Sequence, residues 1–277
     1  MNFLNHLTGA TRVIAIVGDP IAQVKSPAGV TQALRERGRD AIVVPFHVAT
    51  PDLPAFLAGV TAAKNFDGLI VTVPHKFDVT RVCAATTDRA AFLGAVNILR
   101  RDAKGGWFGD QVDGIGFVEA ARAVGCKPEG RRALMAGAGG AGSAIALALL
   151  ESGVGELAIH DDDTTRRDAL IGRLRARHGG KVAVGSADPA GFDVVVNATP
   201  SGMRDGDPLP FDVSHLSRSA FVGDVITAPA VTPLIEAARR IGCHTQVGVG
   251  MFAAVCERMV DFLLADGPLA MNGQERG

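Results

Sequence analysis

Ala133-Leu134-Met135-Ala136-Gly137-Ala138-Gly139-Gly140-Ala141-Gly142 is the stretch that decides the fold. Four apolar residues run straight into a glycine cluster, and Ala141 to Glu151 continues as an apolar segment of helical length, so the order reads strand, tight turn, helix. The glycines have separate physical tasks in that setting. Gly137 permits the tight turn, Gly139 lets the backbone approach a pyrophosphate, and Gly142 allows the helix to pack closely on the strand; free N–H groups at the helix start face the phosphates. Gly137, Ala138, Gly139, Gly140 and Ala141 are therefore the candidate dinucleotide cradle. An unliganded α/β domain could carry the same turn, so the glycines alone do not decide for a cofactor. From Ala133 to Leu150 no charge appears, but four glycines and a serine interrupt the run, which suits a buried strand and helix better than a bilayer span.

Support for a dinucleotide comes from the next strand. Glu156–His160 has the composition of one and ends in Asp161-Asp162-Asp163. Asp161 stands about 20 residues beyond the glycine turn, where an acid accepts hydrogen bonds from an adenosine ribose. A 2'-phosphate would meet like charge from the three acids, and the nearby cations, Arg166 and Arg167, fall on the following helix, so NAD is expected over NADP. One of the acids is also expected to cap a helix starting near Thr164. Strand-like runs recur at Val182–Val184, Asp193–Asn197 and Phe221–Val225, a last helix is predicted over Met251–Leu264, and Gly267–Gly277 reads as a frayed polar tail.

Upstream, Val13–Val17, Ala41–Phe46, Gly68–Val73 and Ala95–Leu99 read as strands, with helices predicted from about Pro27 and over Gly116–Val124. Apolar strands separated by helix-length segments predict a parallel sheet with helices on both faces. Gly125-Cys126-Lys127-Pro128-Glu129-Gly130 has turn chemistry and is a candidate boundary before the second α/β set. The length of 277 residues agrees, because single cores usually span about 100–200.

Composition narrows the function. Lys and Arg total 28 against 29 Asp and Glu, a net charge of -1 that offers nothing to a nucleic acid. With 47% hydrophobic and 21% charged residues the chain has material for a real core. Cys83, Cys126, Cys243 and Cys256 show no paired spacing, so neither a zinc knuckle nor a redox dithiol is read, and a reduced, cytoplasmic protein is expected. The histidines lack ligand spacing, and no metal is expected. Met1–His6 has no basic segment leading into a long apolar run, so neither a secretory signal nor a membrane partner is expected.

Further blocks fall in a definite order: Gly18-Asp19-Pro20-Ile21 with Lys25-Ser26-Pro27, Val71-Thr72-Val73-Pro74-His75-Lys76, Gly94-Ala95-Val96-Asn97, Gly109-Asp110-Gln111-Val112-Asp113-Gly114, Asn197-Ala198-Thr199-Pro200-Ser201-Gly202-Met203, and Gly248-Val249-Gly250-Met251. With these, the chain resembles the shikimate/quinate dehydrogenase family from about Val13 to Leu264. The resemblance implies a substrate domain over 1–115 with a C-terminal helix, 249–266, packing back on it. It also implies a Rossmann domain over 116–248, a tail over 267–277 and a cleft between the domains. It implies Lys76 as general acid/base with Asp113 as its partner, Asn97 on a ring hydroxyl, and Ser26 and Thr72 lining the substrate pocket. Asn197, Thr199 and Gly250 would lie on the nicotinamide side. The chemistry is coherent: when a secondary alcohol gives up a hydride its hydroxyl proton must also leave, and a lysine amine can take it directly or through water. A single lysine after a strand is ordinarily solvated surface, and Asp113 before a glycine is ordinarily a helix cap; their joint occurrence within ordered blocks changes that reading. His75, beside Lys76, is read as pocket rim or structural.

The pattern also breaks. The resemblance leads one to expect serine where Val24 stands, tyrosine at Thr227 and glutamine at Val255, and Asn-Thr-Asp becomes Gln111-Val112-Asp113. Val24 and Val255 cannot hydrogen-bond and Thr227 is short, so a cyclic alcohol or ketone with a less polar or differently placed substituent is expected beside shikimate and quinate. The competing reading is a non-catalytic or regulatory protein that kept the fold and cofactor site; Lys76, Asn97 and Asp113 favour the enzyme. A folate-type two-domain dehydrogenase lacks its motif here. A monomer or homodimer is expected.

Overall fold

The computed structural model describes residues 7–270, so the expectations placed on Met1–His6 and on the 271–277 part of the tail lie outside the described residues. Gly267–Ala270, expected to fray, instead form a turn held by the burial of Leu269 and by Arg39, which donates to the Ala270 carbonyl at 3.2 Å. The chain divides into two compact units, one reaching Val112 and resuming at Cys256, the other running from Asp113 to Val255. Gly125–Gly130 thus lies inside the second unit.

The first unit contains β1 (Arg12–Gly18), α1 (Ser26–Glu36), β2 (Ala41–His47), α2 (Leu53–Ala62), β3 (Phe66–Val71), β4 (Cys83–Thr86), α3 (Asp88–Leu93), β5 (Ile98–Arg101) and β6 (Trp107–Asp110). Its sheet order is β2-β1-β3-β5-β6-β4. β1 runs parallel to β2 and β3, but β5 is antiparallel to both β3 and β6. The sheet is therefore mixed, which corrects the all-parallel expectation. The reason is local: β5 and β6 are joined by a short turn in which Asp102 Oδ1 accepts the N–H groups of Lys104 and Gly106, each at 2.8 Å, and a turn this short joins only antiparallel strands. β1 is an interior hydrophobic strand, flanked by β2 and β3, with Ile14, Ala15, Ile16 and Val17 buried. Arg101 anchors the far end of the unit. Its buried guanidinium donates to the carbonyls of Phe66, Gly105, Val60 and Thr61 and lies over the Trp107 ring at 4.0 Å.

The second unit contains α4 (Asp113–Ala123), β7 (Arg132–Ala136), α5 (Gly140–Glu151), β8 (Glu156–His160), α6 (Thr164–His178), β9 (Val182–Val184), β10 (Val194–Asn197), β11 (Phe221–Asp224), α7 (Pro233–Ile241) and β12 (His244–Gln246). α8 (Gly248–Leu264) begins here and ends in the first unit, where Gly68 of β3 has no room for a side chain against Leu263. The order β12-β11-β10-β7-β8-β9 is parallel throughout. Chain direction across the sheet reverses between β7 and β10, and in such sheets ligands bind beyond the carboxyl ends of the strands at that reversal. The glycine turn leaves β7 at this point.

Candidate active site

In the first unit the site grows from the end of β3. The Thr72 N–H donates to the Val17 carbonyl at 3.0 Å, its carbonyl accepts the His75 N–H at 3.0 Å, and the Lys76 carbonyl accepts the Val96 N–H at 2.9 Å. Asn97 is fully buried. Its backbone bonds Val71 and Asp110, and its Oδ1 accepts the Val112 N–H at 3.0 Å. Thr72, Lys76 and Asn97 therefore belong to one backbone web where β3 ends and β5 begins. Ser26, buried, opens α1; a Cβ at Gly18 would overlap the Thr72 methyl, so the loop leading to Ser26 is packed against Thr72. Val24, half-buried, lies in that loop, while exposed Val73 and Phe77 flank the Lys76 turn. His75 is completely buried, its Nε2–H donating to the Val48 carbonyl at 2.8 Å. That makes it structural rather than a pocket rim: it ties the Lys76 turn to the end of β2.

In the second unit Gly137 has φ +103°, its N–H donates to the His160 carbonyl at 2.8 Å, and Gly139 caps α5 with no side chain on the orphan N–H groups. A Cβ at Gly142 would overlap the Gly137 carbonyl oxygen, whereas nothing lies within 4 Å of the Cβ position at Gly139. Gly140 and Ala141 complete the open end of the turn; Ala138 is buried with its N–H held by the Asp161 carboxylate, so the donors that suit a pyrophosphate are those that follow it at the start of α5.

Asp161 lies at the end of β8 as the spacing predicts, but its carboxylate is already engaged. Oδ2 accepts the Ala138 N–H at 2.6 Å, Oδ1 accepts the Asp163 N–H at 2.9 Å, and Arg166 donates to both oxygens at 2.7 and 3.3 Å. Burial pushes its pKa up, but the Arg166 bond and the two backbone donors outweigh that and hold it below the usual carboxylate value. Asp163 caps α6 through the Arg166 N–H at 2.9 Å, as expected of one of the acids.

Asn197 is fully buried at the end of β10 and its Oδ1 accepts both the N–H and the hydroxyl of Thr199, at 3.0 and 2.7 Å. Thr227 is half-buried in the loop after β11, and Gly250 is exposed in the first turn of α8. Val255 is buried, facing Gly116 of α4 so closely that a Cβ there would lie 2.5 Å from its Cγ2. Asp113, buried, is the first residue of α4 and belongs to this unit. Two residues that fall inside the quoted sequence runs had no role read for them. Gly248 leaves no room for a side chain against the Val225–Ile226 backbone, and Asp224 is a fully buried carboxylate closing β11. An acid directly after Phe221-Val222-Gly223 was the available signal for the second. Among the described residues no group of three or more His, Cys, Asp or Glu could hold a metal, and no helix is long and apolar enough to cross a membrane.

A doubly wound unit with an open glycine turn, joined to a mixed α/β unit with a lysine, a threonine and an asparagine gathered at one sheet end, defines a two-unit oxidoreductase of the dinucleotide-linked kind. Residues 16–99 match the family model of the shikimate dehydrogenase substrate binding domain. A shikimate dehydrogenase (NADP(+)) of Rubrobacter xylanophilus is 38% identical over 243 residues, 86% of this chain and 85% of that protein. The chain belongs to the shikimate dehydrogenase family of CH–OH oxidoreductases. Two solved structures are similar along nearly their whole length. Quinate dehydrogenase from Corynebacterium glutamicum in complex with NAD is 30% identical with a TM-score of 0.83, covering 92% of this chain and 94% of that one. A shikimate dehydrogenase in complex with NADP+ is 25% identical with a TM-score of 0.86, covering 94% and 92%. The NADP(+) in the name of the Rubrobacter protein, together with the NADP+ complex, overturns the expectation that NAD is preferred. The physical reason lies in Arg166: an Asp161 neutralised by a guanidinium no longer presents the free negative charge on which that expectation rested.

Proposed function

We propose that the chain interconverts a ring secondary alcohol of the shikimate/quinate type and its ketone with NADP+ as the dinucleotide, the first unit binding substrate and the second the cofactor. When bound, NADP+ supplies the hydride acceptor for oxidation, and its reduced form the donor for the reverse. Lys76 takes the hydroxyl proton while the carbon–hydrogen bond breaks with its electron pair, and returns that proton in reduction. The family resemblance assigns Asp113 as the lysine's partner in that proton transfer, Asn97 and Thr72 hold ring hydroxyls, and Ser26 holds a polar substituent. Gly137–Ala141 hold the pyrophosphate, and Asn197, Thr199 and Gly250 shape the nicotinamide side. The observation that carries the reading is the single backbone web that presents Thr72, Lys76 and Asn97 together.

Val24, Thr227 and Val255 tune the substrate. A missing donor in a site built for a polar group costs about 1–3 kcal/mol. Val255 is also committed to packing on α4, and Val73 and Phe77 place apolar surface beside Lys76. These features favour a ring alcohol with a less polar or differently placed substituent than the carboxylate of shikimate or quinate. Initial rates with NADP+ and NAD+ crossed against shikimate, quinate and a panel of cyclohexanols test this. An NADP+-linked rate is expected, falling by about 100- to 10,000-fold in Lys76→Met while dinucleotide binding persists. Absence of a rate with every alcohol, or an unimpaired Lys76→Met, would sink the proposal.

A further inference from the structure

We propose that Asp224 is a positioning residue, setting through Asn197 and Thr232 the conformation of the two loops that carry Thr199 and Thr227. The inference rests on the dinucleotide and substrate roles proposed for those loops. Asp224 is fully buried at the carboxyl end of β11, beside Asn197 of β10 in the sheet register. Its Oδ1 accepts Asn197 Nδ2–H at 3.2 Å and the Ile226 N–H at 3.0 Å, and its Oδ2 accepts the Thr232 hydroxyl at 2.7 Å. An ionised carboxylate only accepts, so it fixes which end of the Asn197 amide faces it. The amide nitrogen must point at Asp224, where it also donates to the Ser201 carbonyl at 3.1 Å, and Oδ1 is left to face Thr199. The Thr199 hydroxyl bonds that oxygen at 2.7 Å and in turn accepts the Ser201 N–H at 3.1 Å. On the other side Thr232, the N-cap of α7, accepts the Ile235 N–H at 3.4 Å and bounds the loop that begins at Ile226.

One carboxylate thus orders the 198–203 loop at second hand and the 225–232 loop directly. A side chain needed only for local stability has no reason to control Thr199, which Asp224 does not touch. Three variants separate these roles. Asp224→Asn can keep the geometry, with its oxygen accepting from Asn197 and Ile226 and its amide donating to a turned Thr232 hydroxyl; Asp224→Ala removes all the links, and Thr232→Val removes one.

The measurements are amide hydrogen exchange at Thr199 and Ile226, NADPH binding by fluorescence titration, and the split of kcat from KM. For Asp224→Ala we expect exchange at both Thr199 and Ile226 to accelerate at least tenfold. NADPH binding should weaken at least fivefold, and kcat/KM should fall tenfold or more with changes in both constants. Asp224→Asn should restore all three to within about threefold of wild type. Fast exchange at Ile226 with Thr199 still protected, or kinetics within twofold of wild type, would overturn the inference. If Asp224→Ala does not fold, Thr232→Val decides. Its loop should lose order and raise KM while Thr199 stays protected through the intact Asp224–Asn197 bond, and unchanged exchange and KM there would overturn the inference. The exchange and binding measurements need no turnover, so an enzyme inactive on every alcohol would refute the proposed reaction without touching the positioning role.

Discussion

Adding one methyl group to the glycine turn should have opposite consequences at two positions only two residues apart. Gly137 has φ +103°, a region that costs a residue with a side chain about 1–3 kcal/mol. Its Cβ would lie 2.7 Å from both the carbonyl carbon and oxygen of Ala198 and 3.0 Å from the Thr199 nitrogen. That peptide cannot yield easily, because the Ala198 N–H donates to the Ala136 carbonyl at 2.8 Å and the Thr199 N–H to Asn197 at 3.0 Å. Overpacking of this kind adds about 1–3 kcal/mol. The sum for Gly137→Ala, about 2–6 kcal/mol, lowers Tm by about 5–20 °C and still leaves a folded fraction to study. Gly139 has φ -73°, and nothing lies within 4 Å of its Cβ position. Gly139→Ala should therefore keep Tm within about 1 °C while placing a methyl where a pyrophosphate must approach, weakening NADPH binding at least tenfold. Thermal denaturation and NADPH fluorescence titration on the two variants suffice. Wild-type binding by Gly139→Ala would remove the phosphate cradle from the reading, and an unchanged Tm for Gly137→Ala would refute the steric argument.

Other parts of the molecule make independent predictions. Arg101→Met, which strips five carbonyls, that of Ala63 included, of their donor, should lose about 3–5 kcal/mol in urea titration, and a loss below 1 kcal/mol would show that the carbonyls find other partners. Asp161 and Asp224 should affect pH stability with opposite signs. The folded Asp161 pKa lies below 3.8, so its stabilisation is present above 3.8 and lost as pH falls through the folded value; Asp161→Asn should cost stability at pH 7 and converge on wild type in strong acid. Burial raises the folded Asp224 pKa above 3.8, against the pull of Ile226, Thr232 and Asn197. Its contribution is full below 3.8 and lost as pH rises through the folded value, so Asp224→Asn should gain on wild type over that rise in urea titrations at stepped pH. Burial pushes the Cys83, Cys126 and Cys256 thiols up to about 11, so Ellman's reagent at pH 8 should label the native protein far more slowly than the unfolded chain. Comparable rates would contradict that burial.

What could be read from the sequence depended on how far apart the deciding partners lie. The glycine turn, β8 and the helix capped by Asp163 are local patterns, and their boundaries fell within a residue or two of the expected ones. The direction of β5 was not local in that sense: its apolar run fits a parallel strand equally well, and the Asp102 turn into β6 decides the matter. α7 was missed although Pro233 and the Thr232 cap mark its start and Leu234, Ile235, Ala237, Ala238 and Ile241 recur at helical spacing, because nine residues are too short a run for that period to stand out. Charge showed the same limit more sharply. The spacing placed Asp161 correctly, yet the expected cofactor preference treated its carboxylate as free, and the Arg166 that neutralises it stands only five residues on. Sequence spacing fixes where an acid sits, whereas its chemistry depends on which donors converge on it. Asp161 has a guanidinium and two backbone N–H groups; Asp224 has an amide, a hydroxyl and a backbone N–H, with no cation among the bonds to its carboxylate. That contrast explains why burial wins at Asp224 and loses at Asp161, and it makes the ionised Asp224 carboxylate dependent on Asn197 and Thr232 as much as they depend on it.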